Sequence, residues 1–147
     1  MELRARSIAD LVAALRTAGF AARVPDVATF AERSRVVPLV HEATRLPVDV
    51  VIAGPGLEEA FLAHAEERTV GDVRVPVASA GDVIVMKVLA GRPKDVEDVV
   101  AIVRANVDRL DLDGVRATLA TLERALGRAD LLPALDRAIA DAKRRSS

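Results

Sequence analysis

The pattern of apolar and polar residues predicts a helix near the start of the chain and a short strand after it. Ser7 is a favourable N-cap, and Gly19 ends the helix. The apolar positions between them recur at the three- and four-residue spacing of one helix face. These positions are Ile8, Leu11, Val12 and Leu15. Residues 20–24 then predict a short strand, and residues 25–31 predict either a loop or a short turn of helix.

Two segments rich in valine and leucine follow, and they predict an antiparallel hairpin. They are residues 35–40 and 46–52, with a polar run between them. Gly54-Pro55-Gly56 stops the second strand, and it lacks the length and the following lysine of a phosphate-binding loop. A helix over residues 57–66 is predicted next.

Helices dominate the remainder of the chain. A strand over residues 73–77 comes first, and Pro76 marks an edge strand or the end of that strand. Ser79 caps a helix that stops at Gly91-Arg92-Pro93. The later helices are predicted over residues 94–105, from the cap Asp113 to 126, and from 130 towards the end.

This order of elements predicts an α/β fold of the α+β kind. We expect a small mixed or antiparallel sheet with a helical C-terminal subregion, since strands and helices come first and helices alone finish the chain. The expected domains are residues 1–105 and a helical extension, residues 106–147, packed on the same domain.

Composition narrows the classes of protein to which the chain could belong. Its 21 basic and 22 acidic residues give a net charge of -1, which argues against a protein that coats nucleic acid but allows a local basic pocket for one nucleotide. The chain has no cysteine, which fits a cytoplasmic protein. No apolar stretch approaches the roughly 20 residues of a membrane span. Only three phenylalanines are present, so the stacking platforms of single-strand binders are missing.

Residues 86–99 hold the densest candidate chemistry in the sequence. They carry two lysines, one arginine and three acids on a segment that also has the apolar stripe of a helix. Gly91-Arg92-Pro93 interrupts the helix where these charges cluster. A basic residue on one helix, with Lys94-Asp95 opening the next, is suited to a ligand that bears phosphate.

Each charged residue also has a purely structural explanation. Asp49, in a valine-rich strand, either faces solvent or needs a partner or a metal ion. Lys87 could extend its ammonium to the surface, and Asp95 could favour the helix start through the helix dipole. Asp98 could pair with Lys94, four residues before it.

The two histidines, His41 and His64, fall in a predicted turn and a predicted helix. Neither has a sequence neighbour at the spacing of a metal ligand or a general base. We therefore expect both at the surface without a catalytic role.

Several segments come in an order that resembles the AbiEii-type nucleotidyltransferases, in the DNA polymerase beta-like superfamily. The segments are residues 48–52, 56–61, 75–79, 87–99 and 110–115. The resemblance covers most of the chain, and Lys87 to Asp98 is its most specific part.

The resemblance implies transfer of a nucleoside monophosphate from a nucleoside triphosphate, with Mg²⁺. Lys87 and Asp95 match functional positions, and Arg92 and Lys94 are the implied phosphate contacts. Asp49 matches a third, metal-binding carboxylate that some members supply from a neighbouring strand. In such enzymes, two ions about 4 Å apart clamp the attacking and leaving oxygens.

The chain departs from the family pattern at its start. The family's Gly-Gly or Gly-Ser turn followed by Asp-x-Asp is missing from the printed residues. We expect either that the true start lies upstream of Met1 or that the chain is a remnant with little or no catalysis. The alternatives are a non-catalytic binding module, such as one half of a toxin–antitoxin pair, and an enzyme completed by a partner chain.

A sheet without the family's first helix and strand would expose an apolar face or edge, which usually has to be covered. We therefore predict a homodimer or pairing with another chain. Light scattering at micromolar concentration should give at least twice the chain mass of 15.6 kDa. A stable monomer would contradict this expectation.

Overall fold

The computed structural model describes residues 7–54 and 56–145. They form two compact units, with the boundary between Glu59 and Ala60. The predicted fold class is confirmed, because helices are combined with two small antiparallel sheets. Pro55 of the predicted turn and the last two residues of the predicted final helix lie outside the described residues.

The first unit places two helices on one face of a three-stranded antiparallel sheet. Its elements are α1 (Ile8–Thr17), β1 (Phe20–Ala22), α2 (Val27–Ser34), β2 (Val36–His41) and β3 (Pro47–Val51). Strand β2 is central, and its Leu39 lies opposite Ala22 of β1 and Val48 of β3. Two residues of α2 and two of β2 form the buried core, namely Val27, Ala31, Val37 and Leu39. The predicted hairpin of β2 and β3 is confirmed.

Side-chain caps explain where the helices of this unit begin. The hydroxyl of Ser7 accepts a hydrogen bond from the Asp10 amide at 3.1 Å, so the predicted cap of α1 is confirmed. The carboxylate of Asp26 caps α2 in the same way. Residues 25–31 are therefore mostly helical, and α2 continues to Ser34. The predicted strand over residues 20–24 is shorter and ends at Ala22.

The second unit consists of helices and a two-stranded hairpin. Helix α3 (Leu57–Ala63) crosses the boundary, followed by β4 (Glu66–Val70), β5 (Val73–Val77), α4 (Ala80–Ala90), α5 (Pro93–Ala105), α6 (Leu112–Leu126) and α7 (Leu131–Arg144). Helix α4 contacts α5, α6 and α7, and α5 packs along α7. Fully buried side chains hold these helices together, among them Ile84, Val99, Leu119, Leu131 and Leu135. No helix in the described part of the chain is long and apolar enough to span a membrane.

Two predictions in this unit are wrong at the level of local structure. The helix predicted over residues 57–66 ends at Ala63, and Glu66–Val70 is strand β4. Every residue of β4 is exposed, so the strand has no buried apolar alternation that would reveal it. The cap of α6 is Asp111 instead of Asp113, because the Asp111 carboxylate accepts from the Gly114 amide at 2.9 Å.

The buried face of α7 generates a prediction about stability. Leu135 is completely buried, so Leu135→Ala should lower the free energy of unfolding by about 2–5 kcal/mol, through lost burial and the cavity left behind. Urea denaturation measures the change. Leu126→Ala, which shortens an exposed leucine on α6, is the control and should cost clearly less. Equal losses in the two variants would contradict the packing described.

Candidate functional site

The turn between α4 and α5 creates the candidate site. Gly91 ends α4 with a left-handed backbone (φ 64°), and its amide donates to the Lys87 carbonyl at 3.0 Å. Glycine adopts that conformation without steric cost. Arg92 is the N-cap residue of α5, and Pro93 follows at the first helical position, where proline is favoured. Two residues thus suffice to bring the end of α4 beside the start of α5.

Four charged side chains meet at this turn, and we name them the Lys87 cluster: Lys87, Arg92, Asp95 and Asp98. Arg92 donates from Nε to Asp95 Oδ2 at 2.5 Å and from Nη2 to Oδ1 at 3.2 Å. Lys87 Nζ lies 3.5 Å from Asp95 Oδ1 and donates to Asp98 Oδ2 at 2.6 Å. The cluster therefore alternates in charge and contains two cations and two carboxylates.

Burial assigns different roles to the members of the Lys87 cluster. The Asp95 side chain is only 4% exposed, and a buried carboxylate requires partners such as these two cations. The Arg92 side chain is 75% exposed, although one edge of its guanidinium is held by Asp95. Asp95 thus positions the two basic groups, and Arg92 presents its remaining donors to solvent.

The contacts shift the ionisation of the cluster in a consistent direction. The hydrogen bond from Arg92 is the main cause that lowers the pKa of Asp95, and Lys87 adds a smaller effect. The hydrogen bond to Asp98 is the main cause that raises the pKa of Lys87, with a further contribution from Asp95. Asp95 and Lys87 consequently stay charged across the neutral range.

The structure brings three of the predicted site residues together, while Lys94 stands beside them on α5 and Asp49 lies in the first unit. Lys87, Arg92 and Asp95 share the cluster, whereas Lys94 is exposed and has no ion-pair partner among residues 7–54 and 56–145. The predicted pairing of Asp98 with Lys94 is wrong, because Asp98 binds Lys87. The Asp95 side chain does not cap α5, because its carboxylate pairs with Lys87 and Arg92.

Asp49 belongs to the first unit and has a different environment. Its side chain is 57% exposed and forms an ion pair with Arg23, which also donates from Nε to the Leu39 carbonyl at 2.8 Å. The solvent-facing alternative is therefore confirmed. The described residues contain no group of three or more candidate metal ligands. The Asp49 carboxylate is already paired with the guanidinium of Arg23.

A second arrangement of charged residues was missed by the sequence reasoning. His64 Nδ1 lies 3.6 Å from Asp82 Oδ1, and Ser79 donates to the other carboxylate oxygen of Asp82 at 2.7 Å. The three side chains line an open cleft of about 620 Å³ in the second unit. Ser79 and Asp82 show the spacing of a capped helix start, but no pattern in the sequence links them to His64, which lies before strands β4 and β5.

Comparison with known proteins adds no relative: no family model matches this sequence, and no curated protein matches it either.

The lowered pKa of Asp95 predicts a specific dependence of stability on pH. Its ionised form contributes stability that is present above the ordinary pKa of 3.8 and is lost as the pH falls through the lowered value. Asp95→Asn should be less stable than the wild type at pH 7, and the difference should shrink below pH 3.8. Urea midpoints at a series of pH values measure this.

Asp113→Asn alters an exposed carboxylate outside the cluster and is the matched control. Its urea midpoint should change with pH as that of the wild type does. A gap between wild type and Asp95→Asn that stays constant with pH would contradict the buried ion-pair role of Asp95.

Proposed function

We propose that this chain is a nucleotidyltransferase-like protein that binds a nucleoside triphosphate at the Lys87 cluster and performs little or no transfer by itself. The observation that carries the proposal is the exposed guanidinium of Arg92, fixed in place by the buried carboxylate of Asp95. A fixed, planar set of N–H donors suits the oxygens of a phosphate group.

The charges of the cluster indicate where the phosphates would bind. Lys87 is 27% exposed and already contacts two carboxylates, so its ammonium is largely neutralised. Among the described residues, Arg92 pairs with one carboxylate, that of Asp95. The exposed Lys94 follows Arg92 by two residues. A phosphate would therefore contact Arg92 and Lys94 first, with Lys87 as a supporting charge.

We propose little or no catalysis because two-ion chemistry needs closely placed carboxylates, and the family's Gly-Gly or Gly-Ser turn followed by Asp-x-Asp is missing from the sequence. The family implies Mg²⁺, but Asp49 is paired with Arg23 and the described residues offer no ligand set around it. Mg²⁺ could still accompany a bound triphosphate through the phosphate oxygens themselves.

The second candidate function is a non-catalytic binding module, such as one component of a toxin–antitoxin pair. The β4–β5 hairpin favours it, because Val70, Val73 and Val77 are exposed on a sheet of only two strands. Exposed apolar residues on such a hairpin can mark a protein contact. Co-purification with the product of a neighbouring gene would favour this function.

We further propose that the protein is cytoplasmic and that it pairs with a second copy or with another chain. If a partner completes the enzyme, Lys87→Ala should abolish activity only when that partner is present. RNA, a protein or a small molecule could then be the acceptor.

Nucleotide binding by Arg92 is directly testable. Calorimetric titration with ATP, with and without Mg²⁺, should show binding that Arg92→Ala weakens about tenfold or more, since hydrogen bonds to charged groups contribute about 1.5–3 kcal/mol. Arg124→Ala removes an exposed arginine of α6 outside the cluster and should leave the affinity unchanged.

Arg92→Ala also leaves Asp95 short of a partner, so folding is checked by circular dichroism. Arg92→Lys keeps the charge and loses the two-pronged contact, and it should fall between wild type and Arg92→Ala. Wild-type affinity in both folded variants would refute the assigned role of Arg92.

Catalysis gives a separate prediction. Incubation of the purified chain with labelled nucleoside triphosphates and Mg²⁺ should give no labelled product above a blank without protein. Robust transfer by the chain alone would overturn the argument that the ion-binding acids are missing.

A further inference from the structure

We infer that a small cavity beside Lys87 receives the base of the bound nucleotide, an inference that rests on the proposed function. The cavity lies between α4, α5 and α7 and has a volume of about 160 Å³. Lys87 belongs both to its wall and to the Lys87 cluster, so one ligand can reach the two places. Its other principal wall residues are Val88, Val96, Val99, Ala134 and Ala138.

Small side chains on α7 explain why the space is open. The inward side of this helix carries the fully buried Leu131 and Leu135, the buried Ala138 and the half-buried Ala134. Residues four apart lie above one another on a helix, so the two alanines form a continuous shallow strip. The strip faces valines of α4 and α5, and the gap between them is apolar.

Size and polarity decide which part of a nucleotide fits. Pockets for whole ligands usually measure about 300–1,000 Å³, so this cavity takes only a fragment. A charged phosphate loses its hydration in an apolar cavity, at a large cost in free energy. A flat, mostly apolar ring suits the walls, while the phosphates stay at the exposed Arg92.

Arg137 supplies the polar rim that a base requires. It lines the cavity and is exposed, and in the described part of the chain it forms no hydrogen-bonded ion pair, although its charge helps to lower the pKa of Asp130. Asp130, also on the rim, is already held by Arg128 at 2.9 and 2.6 Å. The Arg137 guanidinium can therefore stack on the ring or donate to its edge, as arginines do with nucleobases.

The experiment separates base binding from phosphate binding by comparing ATP with inorganic tripolyphosphate. Ala134→Leu fills the cavity and should weaken ATP binding about tenfold while leaving tripolyphosphate binding unchanged. Ala140→Leu adds the same side chain at an exposed position of α7 and is the matched control, with both affinities at the wild-type value. Calorimetric titration of the full chain measures the affinities of the wild type and both variants for ATP and for tripolyphosphate.

The outcomes distinguish the inference from the proposed function. Unchanged ATP affinity in Ala134→Leu, or an equal loss for both ligands, overturns the inference and leaves phosphate binding through Arg92 standing. If the wild-type chain binds neither ligand, the proposed function fails, and the inference fails with it. Thermal unfolding checks that Ala134→Leu folds. If it does not fold, Arg137→Ala decides: it should lose more affinity for ATP than for tripolyphosphate, and equal losses refute the inference.

Discussion

The buried carboxylate of Asp95 imposes the constraint on which the candidate site depends. A carboxylate removed from water is costly unless cations and hydrogen bonds replace its hydration. Lys87 comes from the preceding helix and Arg92 from the turn, so satisfying Asp95 ties the end of α4 to the start of α5. Removing one partner from such a pair leaves an uncompensated charge, which destabilises a protein more than loss of the whole pair. The ion pairs therefore fix the two helices as well as the side chains.

The turn between α4 and α5 brings Lys87 and Arg92 within reach of Asp95 with very few residues. Gly91 reverses the chain through a left-handed conformation, and Pro93 starts α5 where its missing amide hydrogen is not needed. The stretch Gly91-Arg92-Pro93 is thus readable in the sequence as a helix stop followed by a helix start. What the sequence cannot specify is the distance between side chains on the two helices, since that depends on how α4 and α5 pack.

Most features set by local sequence were predicted correctly, and features set by tertiary packing were not. Local signals located α1 through its cap, the β2–β3 hairpin through its valines, and the break before α5. Strand β4 carries no buried alternation, and Asp111 and Asp113 are equally good caps by residue type. Asp98 and Lys94 have the spacing of an ion pair within one helix, but Asp98 pairs with Lys87 of the preceding helix. The cavity beside Lys87 depends on Ala134 and Ala138 of α7, which come 47 and 51 residues after Lys87, and no local pattern connects them to the cluster.

The donor inventory of the cluster shows how a ligand could bind without dismantling the ion pairs. A guanidinium has five N–H donors, and Arg92 directs donors from Nε and Nη2 at Asp95. Its other donors face solvent, so a phosphate can be added without returning Asp95 to an unpaired state. Lys87 differs, since two of its three donors are directed at Asp95 and Asp98. A ligand that required Lys87 as its main contact would have to compete with two carboxylates for a single ammonium. Arg92 is therefore the group at which phosphate recognition costs the fold least.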